Sequence, residues 1–510
     1  MNINNQTDPN YDDRLTALHS NMNAIRAVAS AVEGTLGPKG LDTMLVDDNG
    51  QIIVTNDGVT ILKKMEANHP AAKMLIQVAQ SQQHVVGDGT TTATLLASEL
   101  LTEAVNQVNK GVPIPKVIVG IKQGIRQSIE LIQSNIRVIQ DLSGPLLHQI
   151  ALIAGREHED IAELIIGAAR LITKEKLLEP EYKFADSIIA YEGTRNELIS
   201  GLILNKKRMN PQMPMKIKKA KILVIQDAFE PEDIDEEALG TEVGFSKYLE
   251  YKTSFQQNLL KLTSLGVNVI AVDRGVDPLA EEFCIDHGMM IIQRLSSQEL
   301  KRLSGHTGAR MIKRMGLHKV IDELQAYIGY ADEVMEDQVL QKTRVIGGNG
   351  NPMASILVGA STGEIVEEKE RIAKDAASSV QAAIIGGYVP GGGAFEFWIA
   401  KEVEKQREQM RGLEGFGLQA VVTALRKPMA QIIQNAGFNP LEKLEEVKVA
   451  QNELMKDSLG IHADTGEVMD MEQLGIIDPA LVKIYALQAA GEISEAILRI
   501  QTILRMKAVD

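Results

Sequence analysis

The chain has 510 residues, 44% of them apolar, more than one hydrophobic core usually fills, so about two to four domains are expected. A formal net charge of −15 with no long Lys/Arg run argues against nucleic acid as a partner, and no stretch of about 18 apolar residues predicts a membrane span. The single cysteine, Cys284, excludes an intrachain disulfide and suits a small buried hydrophobe, and the nine histidines lack HExxH or HxxxH spacing for a metal. The N-terminal MNINNQTDPNYDD has neither the basic flank nor the apolar stretch of a targeting signal, so a cytoplasmic location is expected.

From about Leu15 to Arg137 the apolar spacing predicts helices, with Met74, Leu75, Val78 and Ala79 on one stripe and Leu95, Leu96, Leu100, Leu101 and Val105 on another. A short strand signal, QIIVTNDG, interrupts them. GTLGPKG, Gly34 to Gly40, is a loop that can wrap phosphates, with Lys39 as a cation beside backbone amides, or can be only a turn; it is not a P-loop. VTNDGVTIL sets Asp57 at a strand-to-helix turn between Asn56 and Gly58, where a structural acid is the ordinary reading. VGDGTTTATLL, Val86 to Leu96, is the most informative stretch. Gly87 and Gly89 let the backbone turn around Asp88, which can hold a metal, and Thr90, Thr91 and Thr92 open a helix whose free amides favour an anion. The alternative is a polar cap on a buried helix. KGVPIP, Lys110 to Pro115, is a loop leading into a further helix.

The middle changes character. AKILVIQD, Ala220 to Asp227, and GVNVIAVDRG, Gly266 to Gly275, are β-branched runs alternating with helices, and Ser296 to Glu299 has the spacing of a capping box. An α/β domain inserted between two helical halves is the simplest layout, giving a multidomain α and α/β fold. Asp375, in ERIAKDAASSVQAAI, lies on a helix where it can pair with Arg371 or activate water for attack on a phosphate. VPGGGA, Val389 to Ala394, allows a ligand, or a packed helix, close to the backbone. In LGIIDPALVK, Asp478 can accept a ribose hydroxyl or cap the helix that follows. Leu481, Ile484, Leu487, Ile493, Ile497, Ile500 and Leu504 predict a buried face on a C-terminal helix.

LGPKG, TNDG, GDGTTTATLL, an Asp-Ala helix followed by PGGGA, and IIDP occur in one order across essentially the whole chain, and in this the sequence resembles the chaperonins of the HSP60/TCP-1 superfamily. The middle is similar to group II, the thermosome type, because AKILVIQD precedes FEPEDIDEEALGTEVGFSKYLEYKTSFQQ, a lid-like segment. The group-I-like TTTATLL beside that lid fits the bacterial group III branch. Two departures stand out: the segment Lys174 to Ala190 is shorter and less lysine-rich than the group II nucleotide-sensing region, and the tail, ILRMKAVD, lacks a Gly-Met repeat.

The resemblance implies an equatorial helical domain from residues 1–135 and 391–510, an intermediate domain from 136–200 and 355–390, and an apical α/β domain over 201–354 with a lid near 228–256. It implies ATP and Mg2+ as cofactors. Thr35, Leu36, Gly37, Pro38, Gly58 and Gly87 would contact the nucleotide, Gly89, Thr90, Thr91 and Thr92 would bind its phosphates, Gly392 and Asp478 would line its adenosine side, and Asp88 would ligate magnesium. Asp375 would position the attacking water, with Asp57 assisting. The implied partners are further copies in a ring, stacked as a double ring, and non-native polypeptides. On the apical helices, Leu279, Phe283, Leu300 and Leu303 can hold client segments, although core packing is the commoner role for any one of them. In the lid, Phe245, Tyr248, Leu249 and Phe255 flank an acidic run from Glu230 to Glu237. Two other functions fit the phosphate loops alone: a small-molecule phosphotransferase, and a nucleotide-binding ring scaffold without turnover.

Overall fold

The Thr90–Asn109 helix is apolar around most of its circumference, with Leu95, Leu96, Leu100, Leu101, Ala104 and Val105 all buried. Between its first turn and its last residue only a narrow polar stripe, Glu99, Thr102, Glu103 and Asn106, is left part-exposed or exposed, so the rest of the helix must be covered. In the computed structural model, which describes residues 9–48, 50, 52–142, 144–232 and 241–502, it packs against the helices Pro9–Glu33, Pro70–Val85, Glu414–Asn435 and Ala480–Leu498. These form the main core of one unit, built from Met1–Ile166, Leu177–Ala185 and Arg371–Asp510. The strand signal at QIIVTNDG is realised as Ile52–Thr55, which pairs antiparallel with Thr43–Val46, a partner that the sequence reading left unassigned. The helix Ile114–Ser134 begins within KGVPIP rather than after it, with Pro113 at its cap and Pro115 in its first turn, where a missing amide donor costs nothing. The C-terminal helix ends at Leu498, so Ile500 lies beyond it, and Leu504 falls outside the described residues.

The second unit comprises Gly167–Lys176 and Asp186–Glu370. Among the described residues its larger sheet has six strands, ordered Gly201–Leu204, Lys342–Gly348, Gly329–Asp337, Lys216–Ile225, Val269–Val272 and Met290–Ile292. The strand Lys216–Ile225 shows why the sequence reads as it does. Its first half, which is antiparallel to Gly329–Asp337, mixes charged exposed residues with buried ones. Its last four residues run parallel to Val269–Val272 and are all buried, as expected of a strand covered on both faces. Leu223, Ile225, Ile270 and Val272 meet the helices Glu242–Ser264 and Pro278–Asp286 on one side, where Cys284 is buried as expected; Ile222, Val224, Val269 and Ala271 meet Ser297–Thr307 on the other. The capping box at Ser296 and Glu299 opens that last helix.

The α and α/β architecture is therefore as expected. Segments 136–200 and 355–390 contribute to both units; in the second, Ile188–Glu192 and Glu197–Ile199 flank Ser355–Ala360 in a three-stranded sheet. Of the apical residues expected to hold clients, Leu300 and Leu303 are fully buried core, and Leu279 and Phe283 pack partly buried on the opposite face. An amphipathic helix on a sheet buries its apolar stripe, and these residues are that stripe. In the lid region, 233–240, and with it most of the acidic run, lies outside the described residues.

Candidate nucleotide site

All the motif aspartates, Asp57, Asp88, Asp375 and Asp478, belong to the first unit. The GDG turn is held open by its glycines. Gly87 and Gly89 have φ of +79° and +77°, the left-handed region, and a methyl group on them would reach 2.2 Å from Ser378 Oγ and 2.4 Å from Val482 Cγ1 respectively. Gly89 is itself the cap residue of the helix Thr90–Asn109, so no side chain caps that helix and the polar-cap alternative fails. The first-turn amides of Thr90, Thr91 and Thr92 lie at the positive end of a helix of 20 residues. The Gln82 side-chain amide braces the turn, donating to the Asp88 carbonyl at 2.9 Å and the Val482 carbonyl at 3.1 Å.

Asp88 is half-buried. Its Oδ1 accepts the Gly89 amide at 2.5 Å and its Oδ2 accepts the Ser379 hydroxyl at 2.5 Å. Burial raises its pKa and the nearby Asp478 adds to the rise, against the effect of those two donors and Lys483. Asp375 is raised well above the usual carboxylate range, first by burial and then by the charges of Asp88 and Asp57. Arg156 and a hydrogen bond from Gln83 at 3.3 Å oppose that rise. Arg156 has a φ of +52°, an uncommon conformation for a residue with a side chain, just past Gly155, which caps the end of the helix Pro145–Ala154. No motif pointed to it, because its strain is visible only in the folded backbone.

Asp57 caps the helix Gly58–Lys64, accepting the Val59 amide at 3.3 Å and the Thr60 amide at 3.0 Å, so its structural reading holds, while its charge still acts on Asp375. Gly58 presses on the GDGTTT helix: a methyl there would lie 2.4 Å from Thr91 Oγ1. Asp478 does not cap the C-terminal helix, whose cap position is Pro479. Its carboxylate instead meets Lys483 at 2.6 Å, and Lys483 also meets Glu396 at 2.5 Å. A methyl on Gly391 would lie 3.1 Å from the Asp478 carboxyl, so PGGGA and IIDP share one surface. Gly393 packs on the Met429 backbone, Gly392 beside Met471, and Gly37 against Ile432, so PGGGA and the Thr35–Pro38 loop rest on successive turns of the helix Glu414–Asn435. Asn435 pins that loop by donating to the Glu33 and Leu36 carbonyls. Lys39, read as a cation beside backbone amides, pairs with exposed Asp464.

Among the described residues no three carboxylate, histidine or cysteine side chains converge to hold a metal by themselves. Magnesium commonly takes one or two protein carboxylates and fills its octahedron with water and substrate phosphates. A lone Asp88 beside an uncapped helix N-terminus fits that habit.

The sequence model of the TCP-1/cpn60 chaperonin family matches residues 28–508. The chain belongs to that family. This chaperonin is 32% identical to a thermosome subunit of Methanocaldococcus jannaschii over 97% of its own length and 93% of the relative's. It is 32% identical to a thermosome beta subunit of Sulfurisphaera tokodaii, over 96% and 91%. A group III chaperonin solved in its open state superposes with a TM-score of 0.86 at 42% identity, covering 97% of this chain and all of the other. Among the described residues no helix of this chaperonin is long and apolar enough to cross a membrane.

Proposed function

We propose that this chaperonin encloses non-native polypeptides in a ring chamber shut by its own lid, and that magnesium-dependent ATP hydrolysis at the site above times the cycle. The domain assignment that goes with it is equatorial for 1–135 and 391–510, intermediate for 136–200 and 355–390, and apical for 201–354. The observation that carries the reading is the meeting of an uncapped, glycine-opened helix N-terminus with Asp88 and a second, differently tuned carboxylate, Asp375.

In this reading the amides of Thr90, Thr91 and Thr92 hold phosphate oxygens, with Thr35, Leu36, Gly37, Pro38, Gly58, Gly87 and Gly89 enclosing them. Gly392 and Asp478 border the nucleoside. Magnesium, held by Asp88, would supply positive charge against the phosphates. Asp375 orients the attacking water and accepts its proton; its raised pKa makes it a better base than an ordinary surface aspartate, and Asp57 adds negative charge that sustains the rise. The two carboxylates thus divide the work.

Replacing Asp375 with Ala tests this. Nucleotide binding should persist while steady-state phosphate release falls by about 10²–10⁴-fold, the usual worth of a general base. Phosphate release at the wild-type rate would remove Asp375 from the chemistry.

A further inference from the structure

The helix that carries Asp375, Gly363–Gly386, also carries a residue of the same ERIAKDAASSVQAAI stretch to which the sequence assigns no role. Ser379 lies four positions after Asp375, one turn along the same helix face, and is 0% exposed. A buried helical serine commonly returns its proton to the carbonyl four residues before it, as Ser128 does to Gly124 at 2.7 Å. Ser379 instead donates to Oδ2 of Asp88 at 2.5 Å. The other oxygen, Oδ1, is fixed by the Gly89 amide. An ionised carboxylate has about four lone-pair positions, so one donor on each oxygen sets its plane and still leaves room for a cation. The neighbouring Ser378 shows how closely the helix descends: its Oγ occupies the space that a side chain at position 87 would need.

We infer that Ser379 is a positioning residue for the metal at Asp88, so that the helix bringing Asp375 to the nucleotide also orients the carboxylate that holds the ion. Docking of one helix then sets both metal affinity and the placement of the base. The inference rests on Asp88 being the magnesium ligand. Hydrogen-bonding partners of metal-binding carboxylates typically cost 10–100-fold in metal affinity when removed.

The test uses the full-length assembled protein, a fluorescent ADP analogue and a magnesium titration, with a parallel measurement in excess EDTA. Ser379→Ala should raise the magnesium needed for half-maximal binding by about 10–100-fold and leave the EDTA affinity unchanged. Ser379→Thr keeps the hydroxyl and should titrate close to wild type. Asp88→Asn should lose the magnesium response; if it responds like wild type, the ligand assignment of Asp88 fails and Ser379 falls with it. If Asp88→Asn loses the response but Ser379→Ala titrates like wild type, the role of Ser379 alone is overturned. An Ala variant that loses equal affinity with and without magnesium also overturns it, because that is general damage to the site.

Discussion

Lys483 is the cation that joins a helix and a strand of the site. It is only 7% exposed, yet its ammonium lies between Glu396, at the start of the helix after PGGG, and Asp478 on the IIDP strand. Burial alone would lower its pKa, but the Asp478 and Glu396 carboxylates more than offset this and hold it above the ordinary lysine range. Removing the cation leaves the buried Glu396 carboxylate beside that of part-exposed Asp478 with no positive charge between them. Lys483→Met should destabilise the fold by about 3–5 kcal/mol, the usual cost of breaking a buried pair from one side. A lowered thermal midpoint would show it, and Lys483→Met combined with Glu396→Gln should recover part of the loss. Equal midpoints for Lys483→Met and wild type would contradict the triad. Asp57 and Asp88 were legible in the sequence because glycines and threonines frame them. Lys483, Ser379 and Arg156 were not, since what matters about each is a partner distant in the chain or a backbone angle. Asp478 illustrates the difference: its cap reading was local and reasonable, but it pairs instead with Lys483 five residues on, which Glu396 from a remote segment also holds.

The helices Ile114–Ser134 and Glu414–Asn435 touch backbone to backbone. A methyl on Gly120 would lie 1.9 Å from the Glu414 carbonyl, one on Gly417 2.1 Å from the Val117 carbonyl, and one on Gly124 2.9 Å from Val421 Cγ2. Alanine normally improves a helix by about 1 kcal/mol over glycine. Here the clash is with main chain, which cannot rotate away, and overpacking costs about 1–3 kcal/mol. Gly120→Ala and Gly417→Ala should therefore lower the thermal midpoint, whereas Gly275→Ala, with open space around it, should leave it within error. A rise in midpoint for the first two would show that the crossing can relax. Periodicity found the helices of 15–137 and the parallel strands of the second unit, because a buried stripe and a β-branched run are local signals. It could not find the crossing glycines, the Thr43–Val46 partner strand or the three-stranded sheet, all of which depend on segments remote in sequence.

Chamber closure, if it is the working cycle of the whole molecule, needs surfaces that are exposed in one subunit and covered in the ring. The helix Glu242–Ser264 divides along its length. Phe255, Leu259 and Leu262 are buried, with Phe255 set edge-on against Phe229 at 5.4 Å between ring centres, whereas Val243, Phe245 and Leu249 are 71%, 54% and 48% exposed. Large apolar side chains clustered at one helix end, beside the half-buried Tyr248, suit contact with another surface rather than with water. Their distance in sequence from every residue of the nucleotide site separates two functions that one variant can uncouple. Replacing Val243, Phe245 and Leu249 together by Ser should leave nucleotide binding and phosphate release within about two-fold of wild type, because no group of the site is touched. The same variant should lose the closed rings that ATP produces, counted by electron microscopy, and should leave a denatured client open to protease in the presence of ATP. Closed rings at wild-type frequency would show that this helix end is not the seam. A parallel fall in phosphate release would show instead that lid contact and hydrolysis are coupled, and that the two units do not work as separable parts.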